Sequence, residues 1–348
     1  PAGLGGSQGP TLENPSPGPE DFARAVESSL QAEGRWVFSS APHMDLWFHG
    51  MAMVDPVGPG PLPLYDPSYP TRIRALKERT GVPATPLDQR AGYFRDAFNR
   101  DPAFEVLHFL PLYFAEATRT EVFAALERLA VTREGIPTGV PTRARFGTAA
   151  GGAVLSSHGQ RALLGEFVSV RGAEWEVLFS SYHREGLPAR HEVQAEAQTV
   201  WDQEFGPQLG PLLQELNLAG GTVFLSPAIG IEGRIFSGVP QNQQDNILVV
   251  SDPTTGADAR TVIFSMLREV SFPLVRQALA SALEAGQGRG EAEGLAARAA
   301  IRTGAFILQE FLPGQVPAYQ TFFLSRAGRT GVPTEGLSGA FQEAYPLE

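Results

Sequence analysis

Apolar residues recur at helical spacing along most of this 348-residue chain, and a strand-like pattern is concentrated between about 220 and 250. Phe22, Val26 and Leu30 share one face of a first helix, and the strongly apolar stretch 43–54 reads as a buried one. Repeated prolines make 58–70 irregular. Further helices are expected over 71–80, 86–99 and 118–130, with the apolar run 104–114 deeply buried in whatever conformation it takes. Small residues after Gly147 permit close helix packing, and Val193, Ala197, Val200 and Trp201 form a stripe over 190–205. Pro207 suits the first turn of the next helix.

The texture then changes. Stretches 222–225, 233–239 and 246–250 read as short strands separated by Gly, Pro, Asn and Gln, and 35–38 reads as another. Asp258 is placed to cap a long helix beginning near Ala259, broken at 286–290 and followed by helices over 291–312 and 317–324. The expected fold class is α+β and helix-dominated: many packed helices with a small β-sheet near residues 220–250. Residues 1–19, rich in Gly, Pro and Ser, read as a flexible arm. Residues 20–325 hold no repeat and no low-complexity linker, so a single compact domain is expected, with 219 the one place for a subdivision. Residues 326–348 are expected as a surface tail.

Composition narrows the functions. A hydrophobic content of 43% with 19% charged residues supplies a packed core and excludes global disorder. The net charge of −11, with no basic run to offset it, argues against nucleic acid and anionic membranes as partners. No apolar run reaches the roughly 18 residues of a membrane-spanning helix, so no span is expected. With no cysteine, there are no disulfides, thiolate nucleophiles, iron–sulfur clusters or cysteine-held zinc. Only Lys77 among the basic residues is a lysine. Removal of a secretory signal peptide leaves a start such as Pro1, as does shortening of a longer chain; the expectation is a secreted or periplasmic protein.

Strands, then a long helix carrying Arg268-Glu269-Val270-Ser271-Phe272, then a second long helix, make an order that resembles the catalytic half of gluzincin-type zinc metallopeptidases over about 220–312. In that family the first helix carries H-E-x-x-H and a later helix supplies a third ligand, usually Glu. Residues at i and i+4 share a helix face, so two imidazoles converge on one metal while the Glu activates its water. Here Glu269 stands at the base position, but Arg268 and Phe272 stand where the histidines belong. An arginine is always protonated and repels a dication. The resemblance therefore implies the fold without the zinc site, with Glu293 or Glu310 a remnant of the third ligand. The same residues also read as a core helix with Ile263, Met266, Leu267, Val270 and Leu274 inward.

Two further fragments carry metal-ligand residue types. His191-Glu192 matches the first two positions of the same motif and otherwise reads as an exposed polar face with Glu196. His43, Asp45 and His49 are more suggestive: Asp45 and His49 are four apart on one helix face, and imidazole and carboxylate suit zinc or iron. Trp47, Phe48, Met51 and Met53 surround them, so core histidines bonded to a carbonyl or to Asp are the competing reading. His108 is either their buried partner or another satisfied core histidine. No G-x-S-x-G elbow or P-loop occurs, and Gly286, Gly288 and Gly290 follow no strand, so they are not a dinucleotide fingerprint. The sequence thus favours an exported non-catalytic protein without a cofactor, acting by self-assembly or on a protein partner, as in an extracellular or envelope structure. The alternative is a metal-dependent hydrolase using His43, Asp45 and His49 as ligands, with Glu269 as base.

Overall fold

The sheet joins segments far apart in the chain. In the computed structural model, which describes residues 35–58, 62–131, 142–237, 246–253, 256–284 and 289–347, strand β1 (Trp36–Ser39) pairs in parallel with β2 (Gly221–Ser226). β2 pairs in parallel with β4 (Ile247–Ser251), and the short β3 (Arg234–Phe236) runs antiparallel to β4 at the edge, giving the order β1-β2-β4-β3. Helices cover both faces, and the fold is α+β and helix-dominated, as the periodicity predicts. The expected arm 1–19 and the stripe of Phe22, Val26 and Leu30 lie outside the described residues.

Successive strand residues point to opposite faces, and both faces are buried. Phe224, Ile247 and Val249 enter one core, while Val223, Leu225, Leu248 and Val250 enter the other. This is why β2 and β4 read as continuous apolar runs instead of alternating ones. The first core is built on α1 (Pro42–Val54), α2 (Tyr69–Thr80), α3 (Pro86–Arg100), α4 (Arg119–Val131), α5 (Thr142–Val154) and α6 (His158–Glu174). At its centre Phe167 meets Trp47, Phe94 and Phe98 edge-on, the geometry that ring quadrupoles favour. Gly147 in α5 lets that helix close on Tyr113, whose Cβ would lie 2.3 Å from a side-chain carbon at 147.

One helical rod links the two cores. α6 passes through a π-helical turn (Trp175–Phe179) into α7 (Ser180–Val200), then through a second (Trp201–Phe205) into α8 (Gly206–Glu215). Each π turn inserts a residue and swings the following face by about 100°. Arg171 and Glu174 before the first turn, and His183 and Arg190 after it, are all buried. The second core takes β1 and α7–α8 residues together with α9 (Arg260–Glu284), α10 (Arg289–Phe311) and α11 (Val316–Arg326).

Two expectations gain detail. Most residues after 326 are exposed, as expected of a surface segment, but it is anchored: α12 (Leu337–Ala344) buries Leu337 and Phe341, and Tyr345 follows them into the second core. These three are spaced four apart on one helix face, and burying each contributes roughly 1.5–3 kcal/mol, enough to hold a short terminal helix in place. The run 104–114 lies in 3-10 turns (Pro102–His108 and Leu110–Phe114) and is largely buried, but Glu105, Val106 and Tyr113 are half-buried and Phe109 is 36% exposed and lines a cleft.

Candidate functional site

α9 runs beneath the edge strand β3, and the two elements form the walls of a cleft of about 250 Å³. Its floor is a quartet of charged side chains, Glu232, Arg234, Arg268 and Glu269, each no more than 4% exposed. Arg268 donates from Nη1 to Glu269 and from Nη2 to Glu232 Oε1 at 3.2 Å. Arg234 reaches the same Glu232 oxygen at 3.2 Å and donates to the Gly233 carbonyl at 2.7 Å. The Gly233 N–H donates to Glu269 Oε1 at 2.8 Å. This approach requires glycine, since a Cβ at 233 would lie 2.4 Å from the Val249 carbonyl and 2.9 Å from Glu269 Cγ.

Burial works against the Arg268 charge, but the Glu269 and Glu232 carboxylates outweigh it and hold its pKa above the ordinary value. The guanidinium also lies 5.0 Å from the Phe272 ring centre, and that of Arg234 lies 5.2 Å from Phe109. Phe109, Ile235, Phe272 and Pro273 give the cleft apolar walls, with Arg276 and Glu293 also lining it.

The positions that the peptidase motif assigns to ligands and base, 268, 269 and 272, therefore share one cleft, and Glu293 from α10 joins them. Glu310 is exposed elsewhere on that helix and does not line the cleft. The donor set does not fit zinc: a guanidinium occupies one ligand position, a phenyl ring another, and Glu269 Oε1 is taken by Arg268 and Gly233.

His43, Asp45 and His49 all lie buried on α1, but each is committed to different partners. His43 Nε2 contacts the Phe114 carbonyl at 2.9 Å, and burial depresses its pKa to about 4. Asp45 accepts from Arg190 at 2.7 Å and has His183 Nε2 at 3.2 Å. His49 joins Tyr69 Oη at 2.9 Å and Glu174 at 3.1 Å. Burial would raise the Glu174 carboxyl, but the bonds from His49 and Lys77 prevail and bring it to about 2. His108 is a core histidine bonded to Tyr65 Oη at 2.7 Å, lowered to about 3 by burial and by Arg234. Glu269 is grouped with Glu232 and Arg268, not with the α1 residues. Among the described residues, no three His, Asp or Glu are placed to hold a metal ion, and no helix is long and apolar enough to cross a membrane. His191, Glu192 and Glu196 are exposed.

Glu232, Gly233 and Arg234 escaped the sequence reading because their partners on α9 lie some 35 residues away. Their only local signal is a glycine between two opposite charges in an otherwise apolar strand region. No family model, curated protein or solved structure matches this chain.

Proposed function

We propose that this protein is non-catalytic and acts by binding or assembly, with a metallopeptidase-like arrangement whose former metal position is held by Arg268. The observation that carries this reading is the buried guanidinium between Glu232 and Glu269, at the motif's first ligand position, in a cleft also lined by residues 269, 272 and 293. A fixed cation supplies the charge balance that a metal would give, without a water to activate. The apolar walls around a polar floor suit recognition of a partner group.

Metal analysis of the purified chain tests the reading. The parent is expected to carry no stoichiometric metal, whereas Arg268→His with Phe272→His presents two imidazoles beside Glu293 and is expected to take up one zinc per chain. A folded double variant that binds no zinc refutes the metallopeptidase-like arrangement. Stoichiometric zinc or iron in the parent, lost on His49→Ala, refutes the non-catalytic reading in favour of a metal-dependent hydrolase. Light scattering after size exclusion, with and without residues 1–19, tests assembly: a particle that the deletion reduces to a monomer supports it.

A further inference from the structure

A second, larger cavity of about 890 Å³ opens at the carboxyl ends of the parallel strands β2 and β4, where Pro227 and Asp252 line it. Open sheets with parallel strands commonly receive ligands at this end. Two opposite charges make its floor: Arg190 from α7 and Asp252 from the segment after β4, with side chains each 6% exposed. Arg190 Nη1 is committed to Asp45, but Nε lies 3.5 Å from Asp252 Oδ2, an ion-pair separation too long for a good hydrogen bond. Asp252 Oδ1 is shielded from solvent and has no hydrogen-bond partner among the described residues. Buried polar atoms left in this state are uncommon and call for a donor.

Gly186 keeps the guanidinium open to the cavity. It lines the same space, and a Cβ there would come within 3.5 Å of Arg190 Nη2, so a larger side chain would lie across it. Arg72, Arg79 and Arg326 also line the cavity; Arg72 is paired with Asp66 at 2.8 Å. The four arginines face Asp66, Asp252 and Asp258 around the cavity, with Asp45 behind Arg190, so the charges there are close to balanced in a chain of net charge −11.

A floor with a guanidinium beside an acceptor that lacks a donor matches a ligand with an oxyanion next to a hydrogen-bond donor. We propose that this cavity binds a small carboxylic acid bearing a donor on its α-carbon, an α-amino or α-hydroxy acid, with the carboxylate on Arg190 and the donor on Asp252. The site is independent of the Arg268 cleft. The charged groups facing Asp252 are Arg190 on α7 and Asp45 on α1, with His183 against Asp45. Burial, helped by Asp45 and opposed by Arg190, raises the Asp252 carboxyl to about 7. An ammonium donor needs the carboxylate, so amino-acid affinity should rise between about pH 6 and pH 8, whereas a hydroxyl donor gains nothing over that interval.

Titration calorimetry on the full chain with alanine, lactate, acetate and ethylamine tests the proposal. Alanine or lactate is expected to bind with a Kd below about 10 mM, and acetate and ethylamine at least about tenfold more weakly. The pH dependence tells the two acids apart. Gly186→Leu, which covers the guanidinium without removing a charge, should weaken binding of either acid by about tenfold or more, and Asp252→Asn, which keeps the side-chain shape and an acceptor, should weaken alanine by as much and leave lactate little changed, while circular dichroism stays unchanged. The proposal is overturned if neither acid binds, if all four probes bind alike, or if folded Gly186→Leu binds as the parent does.

Discussion

Replacing Arg268 by methionine removes the cation between Glu232 and Glu269 while roughly preserving side-chain length. Arg268 donates one hydrogen bond to each carboxylate, and bonds to charged groups contribute about 1.5–3 kcal/mol each. Glu232 keeps Arg234 at 3.2 Å, whereas Glu269 is left with the neutral Gly233 N–H at 2.8 Å. Losing one partner of a buried ion pair costs about 3–5 kcal/mol, and the remaining Arg234 contact places the expected loss at the lower end, about 3 kcal/mol. Urea unfolding of the parent and the variant at neutral pH measures the deficit. Adding Glu269→Gln to Arg268→Met should recover most of the loss, because Glu232 keeps Arg234 and no buried carboxylate then lacks its cation. A single variant within about 1 kcal/mol of the parent at neutral pH refutes the view that charge balance organises this cleft.

Lys77 is buried between Asp88 at 2.5 Å and Glu174 at 2.7 Å, so Lys77→Met should cost about 3–5 kcal/mol in urea unfolding. Lys77→Arg should recover little of this, because a planar guanidinium does not fit a pocket built for a point charge. Burial holds His43 near 4 and His108 near 3, against 6.5 for an exposed histidine. The unfolded chain then takes up protons first, so their contribution to stability is complete above the unfolded value and falls as pH drops from 6.5 through the folded value. The His43 shift alone amounts to roughly 3 kcal/mol by about pH 4, and unfolding midpoints of His43→Gln should fall less steeply over that interval than those of the parent.

Much of the local structure was legible in the sequence. The helix over 86–99 is observed as α3, with Thr85 and Asp88 forming a capping box and Pro86 at its start. The helices that became α9 and α10 follow from apolar spacing and the glycines between them. The fold of the C-terminal residues was legible too, since Leu337, Phe341 and Tyr345 carry a helical stripe, but the glycines before it gave the impression of a loose tail. The π turns left no signal. A single inserted residue changes the phase of an apolar stripe without ending it, so the rod from α6 to α8 read as separate helices.

What the sequence by itself determined was chemistry and period: which segments coil, which extend, that thiol chemistry is excluded, and that Arg268 and Phe272 stand where a zinc motif needs histidine. Tertiary structure decided the company each side chain keeps. Asp45 and His49 share a helix face, yet one meets Arg190 from α7 and the other meets Glu174 at the end of α6, 145 and 125 residues away. Glu293 and Glu310 are indistinguishable by residue type, but only Glu293 lines the Arg268 cleft. The physical reason is that periodicity records whether a residue faces inward, whereas the partner of a buried charge is set by how helices cross and strands register, and local spacing does not encode either.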